Sequence, residues 1–141
     1  MTTATTTAAA EITSFGALVA HLRATLAATP APAGGERYRY ERDGTSCELA
    51  IAQVLAPPGP PWLCLMVTLG PMESFGLRAA LVANGELPAG SLALLDHQVV
   101  LRQTLPLEGL LVAQLDAAIR GLAHVASELQ AAESPYAYVI R

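Results

Sequence analysis

The sequence predicts an α+β domain in which an antiparallel sheet is flanked by helices, in the order α-β-β-β-α-β-β-α. Two stretches with the three-to-four-residue apolar spacing of helices lie near the ends of the chain, and strand-like alternation fills much of the region between them. Turn dipeptides and proline-rich breaks separate these strands. We expect residues 1–11 to be a disordered lead-in, 12–132 to form one domain and 133–141 to be a C-terminal tail, since 141 residues suit one domain with a real core.

The first helix is predicted at residues 14–28, SFGALVAHLRATLAA, where large apolar side chains recur at helical spacing. Thr13 or Ser14 can cap it, and TPAPAGG breaks it. Asp43-Gly44 favours a hairpin between the first two strands, and the proline-rich APPGPP ends the second because proline cannot continue a strand ladder. The three strands are expected at residues 37–42, 47–54 and 62–69.

One register satisfies the second and third strands together. It places Leu49 opposite Val67 and Ile51 opposite Leu65, all on one face. The third strand is apolar on its other face as well, so we expect something to cover that face. The two cysteines fall on opposite faces, which argues against an intrachain disulfide.

A short helix is expected at residues 73–84, followed by two strands within 91–104. Asp96-His97 lies between these strands and raises the question of whether it is catalytic. A two-residue turn at this pair puts Leu94 opposite Val99 on one face, and both turn residues tolerate left-handed backbone angles. We therefore interpret the pair as the bend of a hairpin.

A long helix is predicted to begin at Leu107, with Pro106 in its first turn. Its apolar residues recur in steps of three and four over about 25 residues, or roughly 37 Å. The remaining residues, ESPYAYVIR, form a tail to which the sequence assigns no contact.

Composition narrows the range of partners. The chain has 8 basic and 12 acidic residues and a net charge of −4, which argues against a nucleic-acid partner. Only 14% of its residues are charged, against about 25% in a typical domain, so we expect apolar surface that binds another chain. The sequence shows no secretory signal, and its longest apolar run, WLCLMV, is far too short to span a membrane. We expect a cytoplasmic protein with no membrane partner.

The sequence contains no arrangement of residues that is typical of an enzyme active site. The sequence lacks the nucleophile elbow GxSxG and the phosphate-binding patterns GxGxxG and GxxxxGK[ST]. His124 and Glu128 could share a metal across one helical turn, but no third ligand lies nearby. We therefore expect no catalytic residue, no cofactor and no metal.

The order of elements resembles that of the class I chaperones of bacterial type III secretion, the Tir-chaperone (CesT-like) family. The resemblance covers roughly residues 12–132, and it is most specific in LRAALVANGELPAGSLALLD, HQVVLRQTLPL and LLVAQLDAAIRGLAHVASEL. It implies a cytoplasmic bacterial homodimer that binds the unfolded N-terminal segment of one or more secreted effectors without hydrolysing ATP, with the secretion ATPase as a further partner. The alternative is a catalytically silent regulatory or scaffold domain that binds a folded protein.

Two surfaces are expected to carry this binding. The effector segment should lie against the first helix and the exposed side of the first three strands, with RYRYER as an edge strand open to strand addition. The alternative there is that the first helix covers Trp62 and Met66 permanently. The effector-binding residues predicted are Leu18, Leu22, Tyr38, Tyr40, Trp62 and Met66. The dimer interface should form around the short helix, which is marginal alone, and the residues predicted are Phe75, Leu77, Leu81, Val82 and Val100.

Overall fold

A computed structural model of the chain describes residues 10–29, 35–55, 59–131 and 136–139. Within them the fold is α+β, as predicted, with a six-stranded antiparallel sheet and three α-helices. The elements are α1 (Phe15–Thr25), β1 (Ala27–Thr29), β2 (Glu36–Arg42), β3 (Thr45–Val54), β4 (Trp62–Pro71), α2 (Leu77–Asn84), β5 (Ser91–Leu95), β6 (Gln98–Pro106) and α3 (Val112–Gln130).

The sheet has one strand more than the sequence predicted. Helix α1 ends at Thr25, because Leu26 is already extended at φ −129° and ψ 154°. The next three residues form β1 and pair with residues 37–39 of β2. The first two of them were assigned to the helix from sequence, and Thr29 to the break that follows it. The strand order is β1-β2-β3-β4-β6-β5. The expectation that RYRYER is an edge strand is therefore wrong over this part of β2, which lies between β1 and β3.

The predicted registers and turns are confirmed. Leu49 lies opposite Val67 in the β3–β4 pair, and Leu94 lies opposite Val99 in the β5–β6 pair. Asp96 and His97 have φ values of 49° and 64°, so both occupy the left-handed region that a two-residue hairpin turn requires. This backbone geometry is the one that the hairpin interpretation of the pair predicted.

The core lies between one face of the sheet, the covered face, and the helices. Leu18 and Leu22 of α1 and Leu122 of α3 pack in one buried cluster with inward-pointing strand residues such as Leu65 and Leu101. Within the described residues no helix packs on the opposite face, the open face. Its residues include Arg37, Arg39, Glu41, Ser46, Glu48, Ala50, Ala52, Val54, Trp62, Cys64, Met66, Thr68, Ser91, Ala93, Leu95, Gln98, Val100, Arg102, Thr104 and Pro106.

Both predicted helix starts in the second half of the chain are wrong. Strand β6 continues through Pro106, and α3 begins only at Val112. The residues between them form a turn in which Gly109 has φ 74°. Leu107 is buried, which accounts for its match to the helical spacing without its being helical. The short helix likewise begins at Leu77, after a single 3-10 turn at residues 72–74.

Segments from both ends of the described chain contact the domain. The Ile12 N–H donates to the Leu110 carbonyl at 2.6 Å, and Ile12 is buried. The described part of the tail contains a 3-10 turn at Ala137–Val139. Val139 is fully buried, and its carbonyl accepts a hydrogen bond from the Gly76 N–H at 2.8 Å. Most of the predicted lead-in, residues 1–9, lies outside the described residues, as do 132–135 and 140–141.

Candidate functional site

Helix α2 turns its large apolar residues toward solvent. It has only eight residues and no side-chain cap at its N-terminus. The two residues that it buries are alanines, Ala80 and Ala83. Leu77, Leu81 and Val82 are 50%, 74% and 55% exposed. A short helix with this distribution gains little from its own domain, so a partner that covered the leucines would stabilise it.

Strand β5 extends this apolar region along the sheet edge. Leu94, next to the hairpin turn, is 50% exposed on the side of the sheet that faces α2, whereas Leu95 is exposed on the opposite face. We call Leu77, Leu81, Val82 and Leu94 the helix–hairpin surface. An apolar groove of about 270 Å³ runs between α2 and β5. It is lined by Leu77, Ala80, Leu81, Asn84, Leu92, Ala93, Leu94 and Val99.

Asn84 fastens α2 to the edge strand. Its side-chain Oδ1 accepts a hydrogen bond from the Leu92 N–H at 2.6 Å, and its Nδ2 donates to the Leu92 carbonyl at 3.2 Å. The amide thereby satisfies the outward backbone groups of β5 at this position, as a neighbouring strand would. Sequence reasoning treated Asn84 only as the end of the helix and missed this contact.

The structure separates the predicted dimer residues into two groups. Leu77, Leu81 and Val82 lie together on the helix–hairpin surface. Phe75 is 5% exposed and belongs to the core cluster. Val100 is 2% exposed and points to the open face, between Thr68 and Ala93 in the ladder. The prediction that Phe75 and Val100 lie at a surface interface is therefore corrected, because both are buried within the chain.

Four of the six predicted effector-binding residues are also corrected. Leu18 and Tyr38 have no exposed surface, and Leu22 and Tyr40 are 1% and 5% exposed. These side chains point into the core because α1 and β2 turn their apolar sides toward α3. They are unavailable to a partner while α1 stays in place.

Polar contacts hold α1 against the rest of the domain. His21 Nε2 lies 3.0 Å from Asp116 Oδ1 of α3. Arg23 donates to Glu36 Oε1 at 2.7 Å, and the Tyr38 hydroxyl donates to the same oxygen at 3.2 Å. Burial raises the pKa of Tyr38, and the Glu36 carboxylate raises it further. Tyr38 therefore stays neutral well into the alkaline range.

The other two predicted effector-binding residues do reach the surface. Trp62 is 38% exposed, and Met66 is partly buried on the open face. Helix α1 packs on the covered face, so the alternative that it covers these two side chains is wrong. At the β3–β4 end, Val54 and Leu55 are also exposed, at 38% and 69%.

The open face also carries three arginines. Arg37 and Arg39 were expected from the sequence, with Arg42, to meet acidic side chains of the bound segment, whereas Arg102 was not singled out. Arg37 donates to Glu48 at 3.0 Å, and Arg39 lies near Glu41 at 3.8 Å. Arg102 is partly buried on β6, and no described residue supplies it with a hydrogen bond or an ion pair. Its position as the one charged residue of β6 was the signal available in the sequence.

Among the described residues, a histidine lies beside a carboxylate in two places, at His21–Asp116 and at His124–Glu128. His124 and Glu128 are 3.9 Å apart on the outer side of α3. Within the described residues no three His, Cys, Asp or Glu side chains could hold a metal ion together. Cys47 and Cys64 are free thiols, and burial raises the pKa of Cys47.

No protein-family model matches the chain, and no curated protein matches it either. In the part of the chain that the structure describes, no helix has both the length and the apolar character needed to cross a bilayer.

Proposed function

We propose that the protein is a homodimeric chaperone of the type III secretion class. It binds the unfolded N-terminal segment of one or more effectors, keeps that segment soluble and competent for export, and hands it to the secretion ATPase. The observation that carries this proposal is the helix–hairpin surface, where Leu77, Leu81 and Val82 of one short helix all lie at least half exposed. Apart from the additional strand β1, the order of helices and strands is the one in which the sequence resembles this class, and it supports the proposal.

The homodimer follows from the chemistry of that surface. A continuous apolar region on a small domain is typical of a protein interface. A two-fold axis beside α2 would place the same leucines of two copies against each other, as an isologous interface requires. Covering Leu81 alone would remove a nearly free leucine side chain from water, worth about 2 kcal/mol when burial is complete.

The effector segment has a separate place to bind. With the helix–hairpin surface occupied by a second copy, the remaining apolar groups include Val54, Trp62 and Met66 on the open face, and Leu55 next to it in the chain. These apolar side chains are separated along the surface, so they suit an extended, unfolded segment whose apolar side chains are also separated along the chain. Binding of the segment is sufficient for this function, which requires no cofactor and no nucleotide hydrolysis. We place the function in the bacterial cytoplasm.

Calorimetry with partners from the neighbouring genes tests this function. N-terminal segments of the encoded proteins are titrated into the purified protein, alongside the folded remainders of the same proteins. Binding of one unfolded N-terminal segment, with no binding of the folded remainders, is the expected result. Binding of folded domains only would favour the scaffold alternative and contradict the chaperone function.

A further inference from the structure

The open face offers a charged group as well as apolar ones. Arg102 lies opposite Met66 on β4 and opposite Ser91 on β5, and Trp62 lies opposite Pro106 further along the same strand pair. Arg102 and Pro106 are four positions apart on β6, or about 13 Å at the usual rise of a strand. A single bound segment can therefore reach the guanidinium and the indole together.

The surface between these two groups is made of small side chains. Ala52 and Cys64 lie opposite each other across the β3–β4 pair, and Thr104 lies next to Cys64 on β6. Cys64 is only 6% exposed, so its side chain protrudes little from the face. A segment of another chain can approach the sheet closely here, which brings its side chains within reach of Arg102.

Arg102 is the cation on this face that lacks a counter-charge among the described residues. The carboxylates of Glu48 and Glu41 already lie beside Arg37 and Arg39. A partly buried guanidinium without an acceptor has lost water contacts that no protein group replaces. A carboxylate restores them best, because it can accept two parallel hydrogen bonds from the planar guanidinium.

We propose that the open face binds an acidic, partly apolar stretch of the partner's unfolded segment, with a carboxylate on Arg102 and an apolar side chain beside Trp62. This inference rests on the proposed function and adds a selectivity to it. The chain is acidic overall, with a net charge of −4. A local cation on its apolar face therefore specifies where an acidic segment can bind despite the general repulsion.

Selection from a phage-displayed library of random unstructured peptides tests the inference. The library is selected on immobilised wild-type protein, on Arg102→Gln and on Arg120→Gln. Arg120 is an exposed arginine of α3 on the far side of the sheet, so its variant carries the same charge change. We expect wild type and Arg120→Gln to enrich peptides that combine Asp or Glu with large apolar residues, and Arg102→Gln to keep the apolar enrichment and lose the acidic one.

Calorimetry on one enriched acidic peptide then gives the size of the effect. Arg102→Gln should weaken its binding about tenfold or more, as expected for the loss of a hydrogen bond to a charged group. Arg102→Lys should recover part of this loss, because it keeps the charge without the paired donors. The melting temperature of each variant shows whether it is folded, and Trp62→Ala, which leaves Arg102 unchanged, should lose the apolar enrichment instead.

The remaining outcomes separate the two proposals. Apolar peptides without an acidic preference, or an acidic preference that survives in Arg102→Gln, would overturn the role of Arg102 and leave the chaperone function standing. Failure of wild type to enrich any peptide would overturn both. Conversion of the dimer to a monomer by Arg102→Gln would assign the open face to a second copy and overturn the inference.

Discussion

Helices α1 and α2 lie on the same face of one sheet, yet they use their leucines in opposite ways. Helix α1 buries Leu18 and Leu22 almost completely. Helix α2 buries only alanines and leaves Leu77 and Leu81 at least half exposed. The leucines of α1 are therefore covered by their own chain, whereas those of α2 are largely exposed.

This difference shows that a helical stripe of apolar residues does not by itself identify a binding surface. The stripe on α1 has the regular spacing of a helix that packs on its own core, and it does so. The apolar residues of α2 point in more than one direction, and its own sheet can cover only part of them. The second pattern is the one on which the proposed dimer rests.

Replacement of Leu22 by Ala should have the largest effect on stability, and it tests whether α1 is packed on the core of its own chain. We expect the free energy of unfolding to fall by about 3 kcal/mol in urea denaturation, because a fully buried leucine would leave a cavity. The matched Leu55→Ala variant removes the same atoms from a residue that is 69% exposed. It should stay within about 0.5 kcal/mol of wild type. A loss below about 1 kcal/mol in Leu22→Ala would mean that α1 is not part of the core.

Replacement of Asn84 by Ala tests how the α2 end is held in place. The variant loses both side-chain hydrogen bonds to Leu92, so we expect a loss of about 1–2 kcal/mol in stability. Exchange of the Leu92 amide hydrogen, followed by NMR, should become faster. Gln130→Ala is the control, since it removes one exposed hydrogen bond to the Leu69 carbonyl. Unchanged protection of the Leu92 amide would show that Asn84 does not hold this edge.

The pH dependence of the free energy of unfolding tests whether the α1 end of the sheet is buried as the structure shows. Burial raises the pKa of Tyr38 above its ordinary value of 10.0. The neutral hydroxyl is therefore favoured in the folded state, and its contribution is fully present below pH 10 and is lost as the pH rises further. Tyr38→Phe cannot ionise, so it should lose less stability than wild type between about pH 8 and about pH 11. Equal losses in urea denaturation at both values would contradict a buried Tyr38.

The smallest effect is expected at the β5–β6 turn. Asp96 and His97 both have positive φ, and Asn-Gly adopts such angles at lower cost. Replacement of the pair by Asn-Gly should raise the melting temperature slightly, through about 0.5 kcal/mol of added stability. Partner binding should not change. A folded variant that no longer bound the effector segment would show that the pair takes part in function.

Alternation along strands was the most reliable information in the sequence, because a shift of one residue would move every apolar side chain to the wrong face. This is why the Leu49–Val67 and Leu94–Val99 pairs could be predicted. Helix ends were less predictable. Leu107 matches the spacing of α3 but is buried in a turn, and the alanines after Leu26 carry no strand signal.

The site was harder to predict than the fold. Sequence spacing marks Leu22 as apolar but does not say whether its own chain covers it, since that depends on how α1, α3 and β2 meet. Leu81 could be found because α2 is too short to bury all its apolar residues. The pairing of Asn84 with Leu92 and the isolation of Arg102 depend on contacts between strands and helices that no local pattern records.

The molar mass of the protein in solution tests most directly whether the α2 end is completed by a second copy. One chain has a mass of 14.7 kDa. Light scattering at tens of micromolar should give about twice this mass for wild type and for the control Ser127→Asp, which places the same charge on the exposed side of α3. Leu81→Asp should give the mass of one folded chain, because burying an unpaired carboxylate would weaken the dimer more than about 100-fold. A monomeric wild type, or a Leu81→Asp variant that remains a dimer, would contradict the account.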